Sequence, residues 1–506
     1  VVTYDPVSAS AILEANEESF GDAVVPNYHF DKAELIVSFD ADFLGTWISP
    51  IEYAAQYIKN RKIKDVKNAK MSRHVQVESH MSLTGSNADN RIMVKPSEQG
   101  AAILALYNAV VGANLSGLTL DGQANEKINK LANDLKSAKG KALVVSGSNN
   151  KGEQVLINAI NDALDSYGNT ISFENASLQR QGRDKDIQDL IREMNAGSVD
   201  VVLVMDGANP AYDLPNADQF AACMAKVGMK VTFSGVMNET AALCDFITPT
   251  HHFLESWGDA EPKRGQLSLI QPTIAPLFNT RHAEETLLRW CSSENLDLTS
   301  DQPYYEYLKA HWEENMFPAQ SNYLTFQTFW DATLHDGVFE MPEGSAQLPG
   351  EGDYTATTSL PVGSGFNGDV NAAASKVRKP SGAELEVSFF ETVNMGAGQY
   401  ANNPWLMEMP DPVNRCVWGN YLAIPVKWDG GNDFTAFQNL NPKELYGVAD
   451  NVNVTVNGNG QVVTAVRQFG QMPGTVALAL GYGRSLTGEM GKALANDVGI
   501  NVKHWM

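Results

Sequence analysis

Cysteine is scarce in this chain. The 506 residues hold four, Cys223, Cys244, Cys291 and Cys416, and the closest two stand 21 positions apart. No CxxC occurs, which excludes a cysteine-ligated zinc or iron–sulfur site built from one local segment. Scarce thiols do not assign a redox compartment, because a large domain folds without disulfides. Four free, mostly buried thiols are the expectation. Basic charge is also short: 37 Lys+Arg stand against 60 Asp+Glu, a net −23. A nucleic-acid binder needs a basic stripe, and here only a scattered Lys59–Lys70 stretch collects lysines. Nucleic acid is therefore not an expected partner, whereas a basic protein is compatible with the acidic surface. Long apolar runs are missing too: nothing approaches the roughly 18 residues a membrane-crossing helix needs. No basic and then apolar leader opens the chain. It starts at Val1 as if within a domain, so a processed protein or one stretch of a longer polypeptide is expected.

What is present fits large globular cores. The hydrophobic fraction is 43% and the mean hydropathy −0.24, as in soluble globular chains. At about 150 residues per domain the length predicts roughly three domains. The expected fold class is α/β, with doubly wound parallel-sheet domains followed by a C-terminal, mostly β barrel. The expected divisions are an α/β region over 1–135, a doubly wound α/β domain over 136–295, an aromatic helical region with a Gly/Ser-rich linker over 296–380, and the barrel over 381–506. No internal repeat is visible.

The local patterns behind this are of two kinds. Residues 34–39 (ELIVSF), 141–146 (KALVVS) and 199–205 (VDVVLVM) are apolar without alternation, as in strands covered on both faces. Helical stripes lie between and after them. Pro50–Arg61 is expected to bury Ile51, Ala54, Ala55 and Ile58, with Ser97, Asp184 and Asn216 as helix caps. Strands alternating with helices indicate a parallel sheet. From 381 the period becomes two, and Asn457-Gly458-Asn459-Gly460 between apolar runs signals a hairpin.

Chemistry-bearing motifs are few. Gly147-Ser148-Asn149-Asn150 closes a strand and opens a helix, where backbone N–H groups favour phosphate. Glu153 stands where a P-loop needs Lys-Ser/Thr, so a Walker A site is rejected. Gly363–Gly368 matches G-x-G-x-x-G but follows no strand, and reads as linker. His251-His252, near Glu255, Asp259 and Glu261, lacks metal-ligand spacing and reads as structural hydrogen bonding. No G-x-S-x-G or other nucleophile motif occurs. Loops at the carboxyl ends of parallel strands line the ligand crevice. That makes Gly147, Ser148, Asp206, Gly207, Asn209 and Ser234 the candidate nucleotide contacts.

Several phrases carry a family resemblance. Asp206-Gly207-Ala208-Asn209-Pro210-Ala211-Tyr212, Asn238-Glu239-Thr240-Ala241-Ala242 leading to Asp245–Pro249, Leu254–Asp259, Gln271-Pro272 and Pro276-Leu277 resemble the molybdopterin oxidoreductase superfamily. Asn402–Val413, Met472–Thr475 and Leu480–Gly483 resemble its terminal β domain. Within it, Ser38–Trp47, Ser82–Arg91 and Lys95–Glu98 are most similar to the large iron–sulfur subunit of alternative complex III.

The resemblance implies a subunit of a membrane-associated quinol oxidoreductase that keeps the fold but has lost molybdopterin. It implies iron–sulfur clusters outside this stretch. The implied partners are a multihaem cytochrome c, a quinol-binding integral membrane subunit and a terminal oxidase, on the periplasmic side of the inner membrane. The residues agree in one respect: the first 222 positions hold no cysteine to ligate molybdenum. Near the place where related enzymes put that ligand stand Thr3, Tyr4 and Asp5, and some relatives use an aspartate. No catalytic or metal residue is carried over. The alternative expectation is an active molybdopterin oxidoreductase of the polysulfide or thiosulfate reductase type. A third is a soluble binding protein.

Overall fold

The computed structural model describes all residues except 64, 116–117, 119, 343–364, 380–381, 427–448 and 486–493. Its centre is a four-stranded sheet in the order Asn90–Met93, Arg73–Glu78, Leu35–Phe39, Ala142–Ser146, with every pairing parallel. Leu35, Val37, Phe39, Ala142 and Val144 face the helices Gln99–Val111, Gly122–Ser137 and Lys151–Ala163. Ile36, Leu143 and Val145 face the opposite core, built with Ile12, Leu13, Phe30, Phe43, Tyr53 and Tyr57. Both faces are dry, which is why these strands show no polar alternation.

A second parallel sheet orders Val201–Val204, Met229–Thr232 and Phe246–Ile247. Its inner face packs on helices Asp184–Ala196 and Ala217–Met224 through Ile187, Ile191, Met194, Phe220 and Met224. A third, antiparallel sheet joins Val25–Tyr28, Ile171–Ser177, Gly258–Lys263, Gln266–Ile270 and Val338–Glu340. The helices Pro303–Asn315 and Phe326–Asp336 bury Trp312, Phe329 and Trp330 against it. Trp312 Nε1 finds its acceptor in Asp259 Oδ2 at 2.8 Å. The C-terminal sheet orders Glu386–Phe390, Thr475–Ala479, Tyr421–Pro425, Asn459–Gln468 and Asp450–Val456.

The fold class is as expected, with particular corrections. Among the described residues the C-terminal sheet is open and mixed, not a closed barrel. The hairpin loop is two residues, Asn457 and Gly458, both at positive φ (51° and 84°), the signature of a type I′ turn. Ala142–Ser146 joins Leu35–Phe39 rather than the Val201–Val204 sheet, because alternation of elements does not encode strand order. The outer face of Val201–Val204 is uncovered, with Val201 45% and Leu203 42% exposed. Ser97 caps nothing: its Oγ donates to Glu386 Oε1 at 2.6 Å, and Glu98 Oε2 accepts from Lys95 N instead. Asp184 is the first residue of its helix, and Asn216 makes no side-chain cap bond. All four cysteines are free, but only Cys223 is buried.

The helix Pro50–Lys59 buries the opposite face from the expected one. Ile51 is 86% exposed, whereas Tyr53 and Tyr57 are buried. Tyr53 stacks near Phe30 (4.9 Å) and Tyr28 (6.3 Å), and Tyr57 OH lies 3.3 Å from His74 Nδ1. An aromatic nest with polar tips outweighs the aliphatic stripe. Tyr53→Ala is expected to cost about 3–5 kcal/mol, and Ile51→Ser to stay within about 0.5 kcal/mol of the parent. Urea unfolding of the two variants decides which face is the core.

Candidate functional site

The six candidate residues fall on two sheets. Gly147 and Ser148 follow Ala142–Ser146, at the point where the first sheet changes direction of winding between Leu35–Phe39 and Ala142–Ser146. Asp206, Gly207, Asn209 and Ser234 follow strands of the second sheet. In the first loop, Asn149 Nδ2 donates to Asp184 Oδ2 at 2.7 Å, at the start of helix Asp184–Ala196.

At the first sheet the loop is closed upon itself. Gly147 N donates to Phe39 O at 2.8 Å, and a Cβ on Gly147 would lie 2.4 Å from Asp40 O. Only glycine permits that approach. Ser148 N donates to Ser146 Oγ (3.1 Å), Asn150 N to Ser148 Oγ (3.2 Å), and Ser148 Oγ to the Glu153 carboxylate.

At the second sheet a polar lock takes the same kind of groups. Asn209 N donates to Tyr4 OH (2.8 Å), and its Nδ2 to Glu239 Oε2 (2.8 Å). Its Oδ1 accepts from Thr240 N and Oγ1 at 3.0 and 2.8 Å. Ser234 Oγ donates to Val236 O at 2.9 Å, and Asp206 Oδ1 accepts from Gly235 N at 3.1 Å. Gly207, and Gly235 in the neighbouring loop, have open space around them.

The lock reaches the C-terminal domain. Arg484 donates from Nε to Glu239 Oε1 (3.0 Å), from Nη2 to Glu239 Oε2 (2.8 Å) and from Nη1 to Gly398 O. Lys503 Nζ donates to Asp213 Oδ1 at 3.2 Å, and Tyr4 OH donates to Asp213 Oδ2 at 2.8 Å. Both cations lie over the Tyr212 ring, Arg484 at 4.5 Å and Lys503 at 5.1 Å. Lys503 is 1% exposed. Burial raises the Asp213 carboxyl and lowers the Lys503 ammonium, and each charge opposes the other's shift. For Glu239, desolvation pushes the carboxyl up. The Arg484 bonds and charge, with Ser485 N and Asn209, outweigh it and bring it down to about 2.

A pterin dinucleotide needs unclaimed N–H donors and side chains at these strand ends. Here several of the loop donors already serve the chain's own oxygens. Asp5 Oδ2 accepts from Gly182 N at 2.7 Å. His251 Nδ1 lies 2.6 Å from Thr280 Oγ1, and no metal-holding cluster of His, Cys, Asp and Glu is found among the described residues. Gly363 lies outside the described residues. The sequence reading missed Arg484, Lys503 and Asp213, and met Glu153 only as the residue that breaks the P-loop pattern. Glu239 and Arg484 stand 245 positions apart. Their one available signal is that Glu239 lies within one family phrase and Arg484 directly follows another.

The lock predicts an acid-side stability profile. Glu239 titrates lower in the folded protein than its ordinary 4.5. Its contribution is therefore complete above about pH 4.5 and is lost as pH falls toward about 2. Arg484→Met, which strands the buried carboxylate, is expected to cost about 3–5 kcal/mol at neutral pH. Arg484→Met with Glu239→Gln should cost less. Denaturant unfolding from pH 7 to pH 3 measures both.

No family model matches the chain. Over 300 residues, 58% of its length, the chain is 27% identical to the menaquinone reductase, molybdopterin-binding-like subunit, of Nitratidesulfovibrio vulgaris. That match spans 37% of the relative's own length. In fold it is similar to acetylene hydratase from Pelobacter acetylenicus, with a TM-score of 0.58 at 11% identity. The likeness covers 97% of this chain and 77% of that structure, and at this identity it speaks to the fold alone. In sequence and in fold, the chain is molybdopterin oxidoreductase-like.

Proposed function

We propose that this chain is a non-catalytic scaffold stretch of a respiratory quinone oxidoreductase subunit, of the alternative complex III kind, that keeps its fold without molybdopterin. The observation that carries this is the polar lock. Asn209, Glu239, Arg484, Asp213 and Lys503 satisfy one another where a cofactor would need them free. The likeness to a menaquinone reductase subunit whose name reads molybdopterin-binding-like supports the respiratory assignment. On this reading electrons pass through iron–sulfur clusters outside this stretch. The chain holds the cluster-bearing part against a multihaem cytochrome c and a quinol-binding integral membrane subunit, with a terminal oxidase as a further neighbour. It lies peripheral to the inner membrane on the periplasmic side, and its net charge of −23 suits a basic cytochrome surface.

The subunit purified from its native membrane complex is expected to contain iron but no molybdenum or pterin. Elemental analysis and pterin fluorescence after acid oxidation measure this. Stoichiometric molybdenum would overturn the proposal in favour of an active polysulfide- or thiosulfate-reductase-like enzyme.

A further inference from the structure

The Gly147–Asn150 loop and the following Glu153 are not part of the polar lock, yet they occupy the crevice at the switch point of the central sheet. Two helices begin there, Gln99–Val111 and Lys151–Ala163. The chain returns to them from far along the sequence. The short helix Val370–Lys376 lies along Lys151–Ala163, with Ala373 and Val377 each 3% exposed in the shared core. Phe366 meets Phe20 edge-on at 6.1 Å, and Asn367 N donates to Ser19 O at 2.9 Å.

Beyond this helix the strap runs across both helix starts. Asn150 Nδ2 donates to Lys376 O at 3.0 Å, and Arg378 N donates to Glu153 Oε1 at 2.8 Å. Arg378 Nη1 donates to Pro96 O at 3.3 Å. The strap packs closely on both helices. A Cβ on Gly152 would lie 2.5 Å from Ala373 O, and one on Gly100 would lie 2.6 Å from Arg378 O and 2.7 Å from Glu153 Oε1. Glu153 is fully buried, in the first turn of its helix. Its carboxylate accepts from Arg378 N and Ser148 Oγ, a negative charge in the first turn where the helix dipole favours it.

We propose that residues 366–378 and the Glu153 carboxylate form an internal plug. The plug fills the crevice in which a parallel sheet binds a nucleoside diphosphate, and keeps such ligands out. The inference rests on the cofactor-free reading above and supplies the device that enforces it.

Two variants open the plug by different means. Gly152→Val forces the strap off through its clash with Ala373. Asp369→Ala removes the side chain that accepts from Asn371 N and Ala372 N and caps the strap helix at an exposed position. The second change leaves the core untouched and is expected to speed amide exchange in 366–378 about fivefold, with exchange in Ala142–Ser146 unchanged. The probe is GDP, with inorganic pyrophosphate in parallel to separate phosphate from base recognition. Wild type should bind neither at millimolar concentration, and the opened variants, each also carrying Glu153→Gln, should gain measurable GDP binding. Faster strap exchange without any gain of GDP binding would overturn the plug while leaving the cofactor-free assignment intact. GDP binding to wild type with an unmoved strap would overturn it as well. Pterin found in the wild-type subunit would strike the assignment itself.

Discussion

The arrangement depends on burying two cation–carboxylate pairs between the second parallel sheet and the C-terminal sheet. Arg484 with Glu239 and Lys503 with Asp213 both close over Tyr212. Taking four charges out of water is costly, and it is offset only when geometry and hydrogen bonding are complete. Here Arg484 uses three of its donor nitrogens, Glu239 also accepts from Ser485 N and Asn209, and Asp213 also accepts from Tyr4. Displacing either sheet would strand a buried ion. Other ties act in the same direction. Arg180 reaches Glu391 at 3.1 Å, Arg91 reaches Gly470 O at 3.0 Å, and His80 stacks on Phe390 at 4.1 Å.

That constraint decides the chemistry available at the strand ends. In an open parallel sheet the carboxyl-end loops are the natural ligand crevice, and both sheets here spend those loops on internal contacts. At the second sheet the loop groups bond Tyr4, Glu239, Thr240 and Val236, and Arg484 and Lys503 of the C-terminal domain close over Glu239 and Asp213. At the central sheet the loop bonds Phe39 O, Ser146 Oγ, the Glu153 carboxylate and Lys376 O. The two arrangements share one element: a buried or half-buried carboxylate, Glu239 or Glu153, held by several intrachain donors near a strand end.

The sequence made the locally determined parts legible. The Ala142–Ser146 strand is apolar on both faces because both faces are covered. The Asn457-Gly458 hairpin is readable because only residues tolerant of positive φ form that turn. The helix Pro50–Lys59 was misread for a physical reason. A stripe of aliphatic residues marks one face, but the neighbouring Phe30, Phe43 and His74 demand tyrosines on the other. Strand order and the polar lock were beyond local reading. Lys503 and Asp213 are 290 positions apart and isolated charges in their own segments. Burial alone distinguishes them from the exposed charges that dominate the chain, and burial is a property of the assembled fold.

A bound cofactor stabilises a folded protein through mass action, by an amount that grows with its concentration relative to its dissociation constant. A chain that keeps such a fold without the ligand loses that contribution and exposes the loops that held it. Intrachain groups can replace both functions, and their effect does not depend on supply from outside. The lock and the strap have this character. Each satisfies loop donors and ties distant parts of the chain together. If the chain is the scaffold proposed above, fixed geometry matters more than a responsive site, and internal carboxylates give that geometry whether or not any small molecule is present.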